Sequence, residues 1–90
     1  MDDCLTFGDV AEEFLQMTRM NVLVRRQYRR HLETYVIPII GGVPFAKLTN
    51  EHVARVLQAN AALQNAALMK RVDIIIADVR RYGAPRTAQA

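Results

Sequence analysis

Four arginines within six residues form the most concentrated chemistry of the chain, in the segment RRQYRR from Arg25 to Arg30. A guanidinium group presents a planar fork of N–H donors that fits phosphate oxygens. On a helix, Arg26 and Arg30 fall opposite an apolar side that includes Tyr28, whereas Arg25 and Arg29 flank that side. A helix with such a basic face suits a polyanion, and nucleic acid is the first candidate. A solvated helix surface without a ligand is the alternative.

No catalytic or metal-binding set of residues accompanies the arginines. His31 and His52 fall on different predicted helices, and neither has a Glu or Asp at the spacing of a metal site. The sequence contains no nucleophile elbow, P-loop or dinucleotide-binding fingerprint. Glu12 and Glu13 are neighbours whose side chains diverge on a helix, so they predict no acid–base pair. We therefore expect no metal, no cofactor and no small-molecule substrate.

The length and composition predict one small globular domain. A chain of 90 residues is near the lower limit for burying a core unaided. Apolar residues make up 51% of it and charged residues 23%, a balance that favours a helical fold over disorder. No apolar run approaches the roughly 20 residues of a membrane helix, and the acidic start differs from a signal peptide. The sequence therefore predicts a cytoplasmic protein without a membrane partner.

Charge is distributed unevenly along the chain, although the net charge is only +3. Five of the nine acidic residues precede residue 14, in a stretch without any basic residue. Five arginines and no acidic residue lie between Arg19 and Arg30. This separation predicts one face of the domain that accepts phosphate and another that repels it.

Two helices are predicted in the first half of the chain. Thr6 can cap the first helix, with Asp9 completing a capping box. Asn21 is the predicted cap of the second, which should end before Pro38 because the residue before a proline is driven toward extended geometry. The core side of the first helix is predicted to contain Phe7, Val10, Phe14 and Met17. The core side of the second is predicted to contain Val24, Tyr28, Leu32, Tyr35 and Val36.

Two more helices are predicted in the second half. Gly41 and Gly42 predict a sharp turn into a connector over residues 43–48, for which no partner strand is visible. Thr49 is the predicted cap of the third helix, and residues 59–67 are either a loop or a continuation of a neighbouring helix. Asn65 can cap a fourth helix that ends at Gly83. We therefore predict a helical domain over residues 1–83 and a disordered tail over residues 84–90.

One pattern of spacing runs without a gap through eight residues: Tyr28, Leu32, Val36, Pro38, Gly41, Pro44, Leu48 and Thr49. This pattern resembles that of the core-binding domain of tyrosine recombinases, the phage integrases. The segment from Leu5 to Leu15, LTFGDVAEEFL, resembles the first helix of that domain. Val24 stands where the family usually has a helix-capping threonine, and the resemblance fades after Leu57.

The resemblance implies an all-α fold, a compact four-helix bundle of the SAM-like type. It also implies a DNA-binding module that clamps duplex DNA at the core site of recombination, together with the catalytic domain of the same protein. In the family, strand cleavage uses a tyrosine nucleophile of that separate C-terminal domain. The expected partners are double-stranded DNA, the catalytic domain and other copies of the protein on DNA. We therefore expect that this chain is not itself an enzyme.

The resemblance also implies which helices face DNA, namely those similar to the second and fourth helices here. Basic side chains would contact phosphates, and amide or imidazole groups would read base edges. The candidate phosphate contacts are Arg25, Arg26, Arg29, Arg30, Lys47, Lys70 and Arg71. The candidate base-reading residues are Gln27, His31, Gln64 and Asn65.

Two other interpretations of the sequence remain open. The first is a helical protein-interaction domain that the arginines only keep soluble, with an outward-facing Ile74 marking the partner surface. The second is a stand-alone, catalytically inactive regulator that occupies integrase sites. Binding to duplex DNA across a salt series separates the first from DNA recognition, because phosphate contacts weaken as salt rises.

Overall fold

Four helices make up most of the computed structural model, which describes the backbone of residues 5–89 and the side chains of residues 5–84. They are α1 (Phe7–Met17), α2, α3 (Asn50–Ala59) and α4 (Ala66–Gln89). The second helix, α2, has three consecutive parts: Val22–His31, a π-helical turn over Leu32–Val36, and Ile37–Ile40. Short 3₁₀ turns at Phe45–Lys47 and Ala61–Leu63 lie in the connections. No strand occurs among the described residues, so the predicted all-α, four-helix fold is confirmed.

One continuous core holds the four helices together. All four helices contribute buried side chains, and Phe45 adds an aromatic ring from the connector between α2 and α3. The helical periodicity of α1 and α2 predicted five of these positions, namely Phe7, Val10, Phe14, Leu32 and Val36, because residues three and four apart share a helix face. The buried apolar residues are Phe7, Val10, Ala11, Phe14, Leu15, Leu32, Val36, Ile40, Phe45, Val56, Val72, Ile75, Ile76 and Val79.

The predicted helix starts are confirmed by their capping contacts. The backbone N–H of Asp9 donates to Thr6 Oγ1 at 3.2 Å, and the Asp9 carboxylate accepts from the Thr6 backbone N–H at 3.1 Å. Asn21 Oδ1 accepts from the backbone N–H of Leu23 at 2.7 Å. At the start of α3, the Thr49 backbone N–H donates to Nδ1 of His52 at 3.0 Å. These contacts satisfy N–H groups that have no partner within the helix.

The core prediction is wrong for Val24, in the first turn of α2, whose side chain is 39% exposed, and for Met17, whose side chain is 71% exposed. Met17 is the last residue of α1, and the next residue, Thr18, already has an extended backbone. The chain leaves the bundle at this point, so the helix face that carries Phe14 into the core has nothing to pack against one turn later. A helical spacing alone does not reveal where a helix loses its neighbour.

The predicted end of α2 before Pro38 is also wrong, because a π-helical turn lets the helix pass through the proline. Within a regular helix, a proline ring clashes with the carbonyl four residues earlier and lacks the N–H that this carbonyl would bind. Here the N–H of Ile37 bonds to the carbonyl of Leu32, five residues back, which widens the turn just before Pro38. The side-chain amide of Asn60 donates to the backbone carbonyl of Tyr35, near the proline, at 3.1 Å. The helix continues to Ile40.

The connector after α2 pairs with the segment that precedes α1, a partner that the sequence did not reveal. The Phe45 backbone N–H donates to the carbonyl of Leu5 at 2.9 Å, and that of Phe7 donates to the carbonyl of Val43 at 2.8 Å. The turn begins at Gly41, whose carbonyl accepts from the Gly8 N–H at 3.0 Å. A Cβ at Gly41 would lie 2.6 Å from the Ile37 carbonyl oxygen. Close approach of backbone therefore requires this glycine, and its φ of −58° is ordinary.

The predicted end of the last helix at Gly83 is wrong as well, because α4 continues to Gln89. The backbone of residues 84–89, for which the sequence predicted a disordered tail, forms the last turns of this helix, and Ala90 lies outside the described residues. A glycine ends a helix by adopting a positive φ, and no glycine among the described residues does so. Gly83 is instead buried, with the Phe45 ring packed against its backbone.

We expect Gly83→Ala to lower the free energy of unfolding by about 1–3 kcal/mol, the usual range for overpacking a core. The added Cβ would lie 2.4 Å from Cζ of Phe45 and 2.9 Å from Cγ1 of Val10. Gly42→Ala is the matched control, because a Cβ there meets nothing within 4 Å. Urea denaturation of both variants tests this packing. Equal stability of the two variants would contradict it.

Candidate nucleic-acid interface

Two of the four clustered arginines turn toward α1. Arg29 donates from Nη1 and Nη2 to the two carboxylate oxygens of Glu12, at 2.9 and 2.8 Å. Arg25 donates from Nη2 to the carbonyl of Thr18 at 3.1 Å, just beyond the end of α1. The sequence placed both arginines at the edge of the apolar face but could not show these partners, because Glu12 is 17 residues away from Arg29.

The ion pair between Arg29 and Glu12 fixes the side of α2 that faces α1. The hydrogen bond from Arg29 holds the pKa of the Glu12 carboxyl below its ordinary value, against a smaller opposing effect of burial. A second carboxylate, that of Glu33, lies 3.7 Å from Nη1 of Arg29. Arg29 is therefore largely neutralised within the protein, and its contribution to a free basic surface is small.

The other two clustered arginines point away from the core. Arg26 and Arg30 are exposed, one helical turn apart, and no ion pair with a described residue involves either of them. Such side chains keep their full charge for a ligand and can lie along one phosphate backbone. Their positions agree with the prediction that this side of α2 is opposite its apolar side.

A groove of about 360 Å³ separates α2 from α4. Gln27 and His31 line it from α2, and Arg71 lines it from α4. Its apolar part includes Ile74, which is 47% exposed and was predicted to face away from the core. The complete lining is Val24, Gln27, Tyr28, His31, Arg71, Ile74 and Ile75.

The two helices run antiparallel across this groove. Tyr28 donates from its hydroxyl to Asp78 Oδ2 at 3.4 Å, whereas His31, almost one turn further along α2, lines the groove with Arg71 of α4. Moving forward along α2 therefore moves backward along α4. This arrangement places the basic residues of α4 near its start beside the end of the arginine segment, which brings together residues about 40 positions apart in the sequence.

We call the exposed basic surface formed by these two helices the α2/α4 face. It consists of the groove-lining residues Gln27, His31 and Arg71, together with the exposed Arg26, Arg30 and Lys70 of the same two helices. Lys70 and Arg71 are both exposed. The face carries four permanent positive charges, and all six of its residues are candidate DNA contacts from the sequence, with Gln27 and His31 as the base-reading candidates.

His31 is the titratable group nearest the permanent charges of the α2/α4 face. Burial holds its pKa below the ordinary value, and the positive charges of Arg71 and Arg30 lower the pKa further. Its ring lies 6.0 Å from the ring of Tyr35. The imidazole is thus neutral over most of the physiological range when no anion is bound.

The remaining sequence candidates lie elsewhere. Asn65 caps α4, because its Oδ1 accepts from the backbone N–H of Leu68 at 3.1 Å. Gln64 precedes it with a left-handed backbone, φ 50°, in the loop that the sequence left undecided. Lys47 is exposed on the connector whose Phe45 packs against Gly83. Gly83 is twelve residues after Arg71, about 18 Å along the helix.

The three tyrosines occupy half-buried positions on helix faces that contact the core. The ring of Phe14 stacks with Tyr28 at 6.2 Å and meets Tyr82 edge-on at 5.7 Å. Burial raises the pKa of the Tyr28 hydroxyl, and the negative charge of Asp78 raises it further. This shift opposes formation of the phenolate that a nucleophile needs.

The part of the chain that the structure describes contains neither a metal-binding cluster nor a membrane-spanning helix. No group of three or more His, Cys, Asp or Glu side chains there is arranged to hold a metal ion. No helix there combines the length and apolar character that crossing a membrane requires.

Comparison with known proteins identifies the family. The family described as the phage integrase central domain matches residues 7–89. This match includes the segment from Tyr28 to Thr49 that carries the resemblance, and it extends across all four helices. No curated protein and no solved structure gave a significant match. Because the matched range covers nearly the whole chain, the protein belongs to the phage integrase central domain family.

Proposed function

We propose that the chain is the core-binding module of a tyrosine recombinase and that its α2/α4 face binds duplex DNA at the core site of recombination. In this proposal the catalytic domain of the same protein forms the other half of a clamp around the duplex. Strand breakage and rejoining belong to that domain, and this chain positions the DNA. Copies of the protein bound to adjacent sites would be further partners.

The observation that carries the proposal is the meeting of exposed basic side chains from two helices. Arg26 and Arg30 on α2 and Lys70 and Arg71 on α4 have no carboxylate partner among the described residues. Four such charges on the two helices that meet at the groove, together with the polar groups of Gln27 and His31, are suited to a sugar–phosphate backbone. Family membership makes DNA the polyanion to expect.

Arg25 and Arg29 have a different role in the proposal. Because Arg29 is paired with Glu12 and Arg25 with the Thr18 carbonyl, they tie α2 to α1 and fix its rotation. That rotation directs Arg26 and Arg30 outward. We therefore propose Arg25 and Arg29 as orienting residues, with direct phosphate contact left mainly to Arg26, Arg30, Lys70 and Arg71.

One observation favours a protein partner in addition to DNA. Met17, Val22 and Leu23 are each more than half exposed around the junction of α1 and α2. Exposed large apolar side chains close together in the chain are typical of a protein-contact surface. In the proposed function this surface meets either the catalytic domain or another copy of the protein. In the rival interpretation, a protein-interaction domain whose partner surface is marked by Ile74, DNA is not bound.

The test of the proposed function is fluorescence anisotropy of a labelled duplex titrated with the 90-residue protein across a salt series. The log–log slope of affinity against salt should be about −3.6 if Arg26, Arg30, Lys70 and Arg71 each contact their own phosphate, and about −2.7 if Arg30 and Arg71 share one, at about −0.9 per phosphate. Affinity should then fall by roughly 40- to 150-fold between about 50 and 200 mM salt. The series starts at low salt because half of a clamp binds weakly.

A matched control uses the separate single strand of the same sequence. A face shaped for a duplex should bind the duplex more tightly than the single strand at equal salt. Absence of duplex binding at the lowest salt, in protein that melts cooperatively, would reject the DNA-binding function and favour the protein-interaction domain.

A further inference from the structure

His31 lies where both helices of the α2/α4 face contribute positive charge. Arg30 precedes it on α2, and Arg71 lines the same groove from α4. Both guanidiniums are close enough to influence the imidazole electrostatically. The ring contacts Tyr35, and no described residue hydrogen-bonds to its ring nitrogens. Both nitrogens are therefore available to a ligand that enters the groove.

The other ionisable groups around this groove do not compensate the positive charge at His31. On α2, the Tyr28 hydroxyl is engaged with the carboxylate of Asp78 on α4. Asp78 also lies 3.7 Å from Arg81, and it is seven residues, about 10 Å along α4, from Arg71. The lining of the groove thus includes Arg71 and the imidazole of His31 and contains no carboxylate, and Arg30 adds its charge from the position next to His31 on α2.

Building on the proposed function, we propose that Arg30, His31 and Arg71 form a single phosphate-binding site that spans α2 and α4, and that His31 takes up a proton from solvent when a DNA phosphate occupies it. The ligand is a phosphodiester of the duplex backbone. The two guanidiniums supply permanent charge, and the protonated imidazole adds a third donor. Because the site joins two helices, one bound phosphate would also fix their separation.

The direction of the pH effect follows from the charges. Without DNA, burial and the two arginines favour the neutral imidazole, which lowers its pKa below the ordinary value of about 6.5. The negative charge of a bound phosphate attracts the protonated imidazole and offsets its repulsion by the two arginines. The pKa of His31 is therefore higher in the complex. Proton uptake on binding means that affinity is highest at low pH and falls as pH rises through the pKa of the complex. The fall approaches about tenfold per pH unit if one full proton is taken up.

The test measures duplex affinity at constant ionic strength between about pH 5.5 and 8, where His is the side chain that titrates. The parent should lose affinity as pH rises, with a slope of up to about one proton. His31→Gln should bind weakly with a nearly flat profile. His31→Arg, whose charge does not titrate, should bind at high pH at least as tightly as the parent does at low pH, and its profile should also be flat.

His52→Gln is the matched control, because it removes the only other histidine and leaves Gln at a position where this residue completes a capping box. It should retain the pH slope of the parent. If the parent binds duplex but its slope persists in His31→Gln, the phosphate site is wrong and the DNA-binding function stands. If the parent fails to bind duplex at every pH, the DNA-binding function fails, and the phosphate site with it. Thermal melts of each variant show whether a lost affinity reflects unfolding.

Discussion

Leu32→Ala should lower the free energy of unfolding by about 2–5 kcal/mol, the range for large-to-small changes in a packed core. Leu32 is 1% exposed and lies at the first residue of the π-helical turn. It borders the same crevice as Ala11 and Leu15 of α1, so its removal leaves a cavity between the two helices. Small domains have about 5 kcal/mol of total stability at the lower end of the usual range. The variant is therefore expected to be partly or wholly unfolded near room temperature.

Leu23→Ala supplies the same chemical change on the same helix at a side chain that is 64% exposed. Its effect should stay within about 0.5 kcal/mol, as is usual for exposed positions. Urea denaturation followed by far-ultraviolet circular dichroism compares the two variants. If both unfold at the urea concentration of the parent, the inward orientation of Leu32 and the rotation of α2 described above would be incorrect.

The rotation of α2 could be predicted because local rules determine it. Tyr28 and Leu32 alternate with arginines at helical spacing, and one rotation buries the former and exposes Arg26 and Arg30. Asn21, at the start of the helix, could be recognised because a cap is a contact between near neighbours in sequence. The all-α class and the composition of the core followed from the same two kinds of signal.

The path of the chain at Pro38 and Gly83 could not be predicted, because both depend on contacts between distant segments. The carbonyl of Tyr35, beside the proline, is satisfied by Asn60 from the end of α3. Gly83 follows the last core residue predicted for the fourth helix, a position where glycine often ends a helix, yet here the Phe45 ring packs against it. Residue type alone cannot distinguish a glycine that ends a helix from one that admits a neighbour.

The candidate interface was predictable in its residue types and unpredictable in its division of roles. The sequence placed Arg25 and Arg29 at the edge of the apolar side of α2, but it could not show that Glu12 on α1 neutralises Arg29 and leaves Arg26 and Arg30 without an ion pair among the described residues. The antiparallel packing of α2 on α4 then brings Arg71 to the groove beside His31. Only the three-dimensional arrangement separates arginines that hold the fold from arginines that remain for a ligand.

Arg26→Ala combined with Arg30→Ala should therefore reduce the log–log salt slope of duplex binding by roughly 1.8 if each arginine contacts its own phosphate, and by about 0.9 if Arg71 retains the phosphate shared with Arg30. Phosphate contacts carry little sequence information, so affinity should fall by a similar factor for integration-site and random duplexes. Folding should hardly change, because both side chains are exposed and make no ion pair with a described residue. Anisotropy across a salt series, with thermal melts alongside, measures both quantities.

The matched control is Arg55→Ala combined with Arg80→Ala, which changes the net charge by the same amount, from +3 to +1 after loss of two arginines. Arg55 is exposed on α3, and Arg80 turns from α4 toward α3, where it donates to Asn50 at 3.0 Å. Neither residue lines the groove between α2 and α4. If only net charge matters, the two double variants will show the same salt slope, and the α2/α4 face will not be the DNA-binding surface. A reduced slope confined to the Arg26 and Arg30 variant would locate the phosphate contacts on α2.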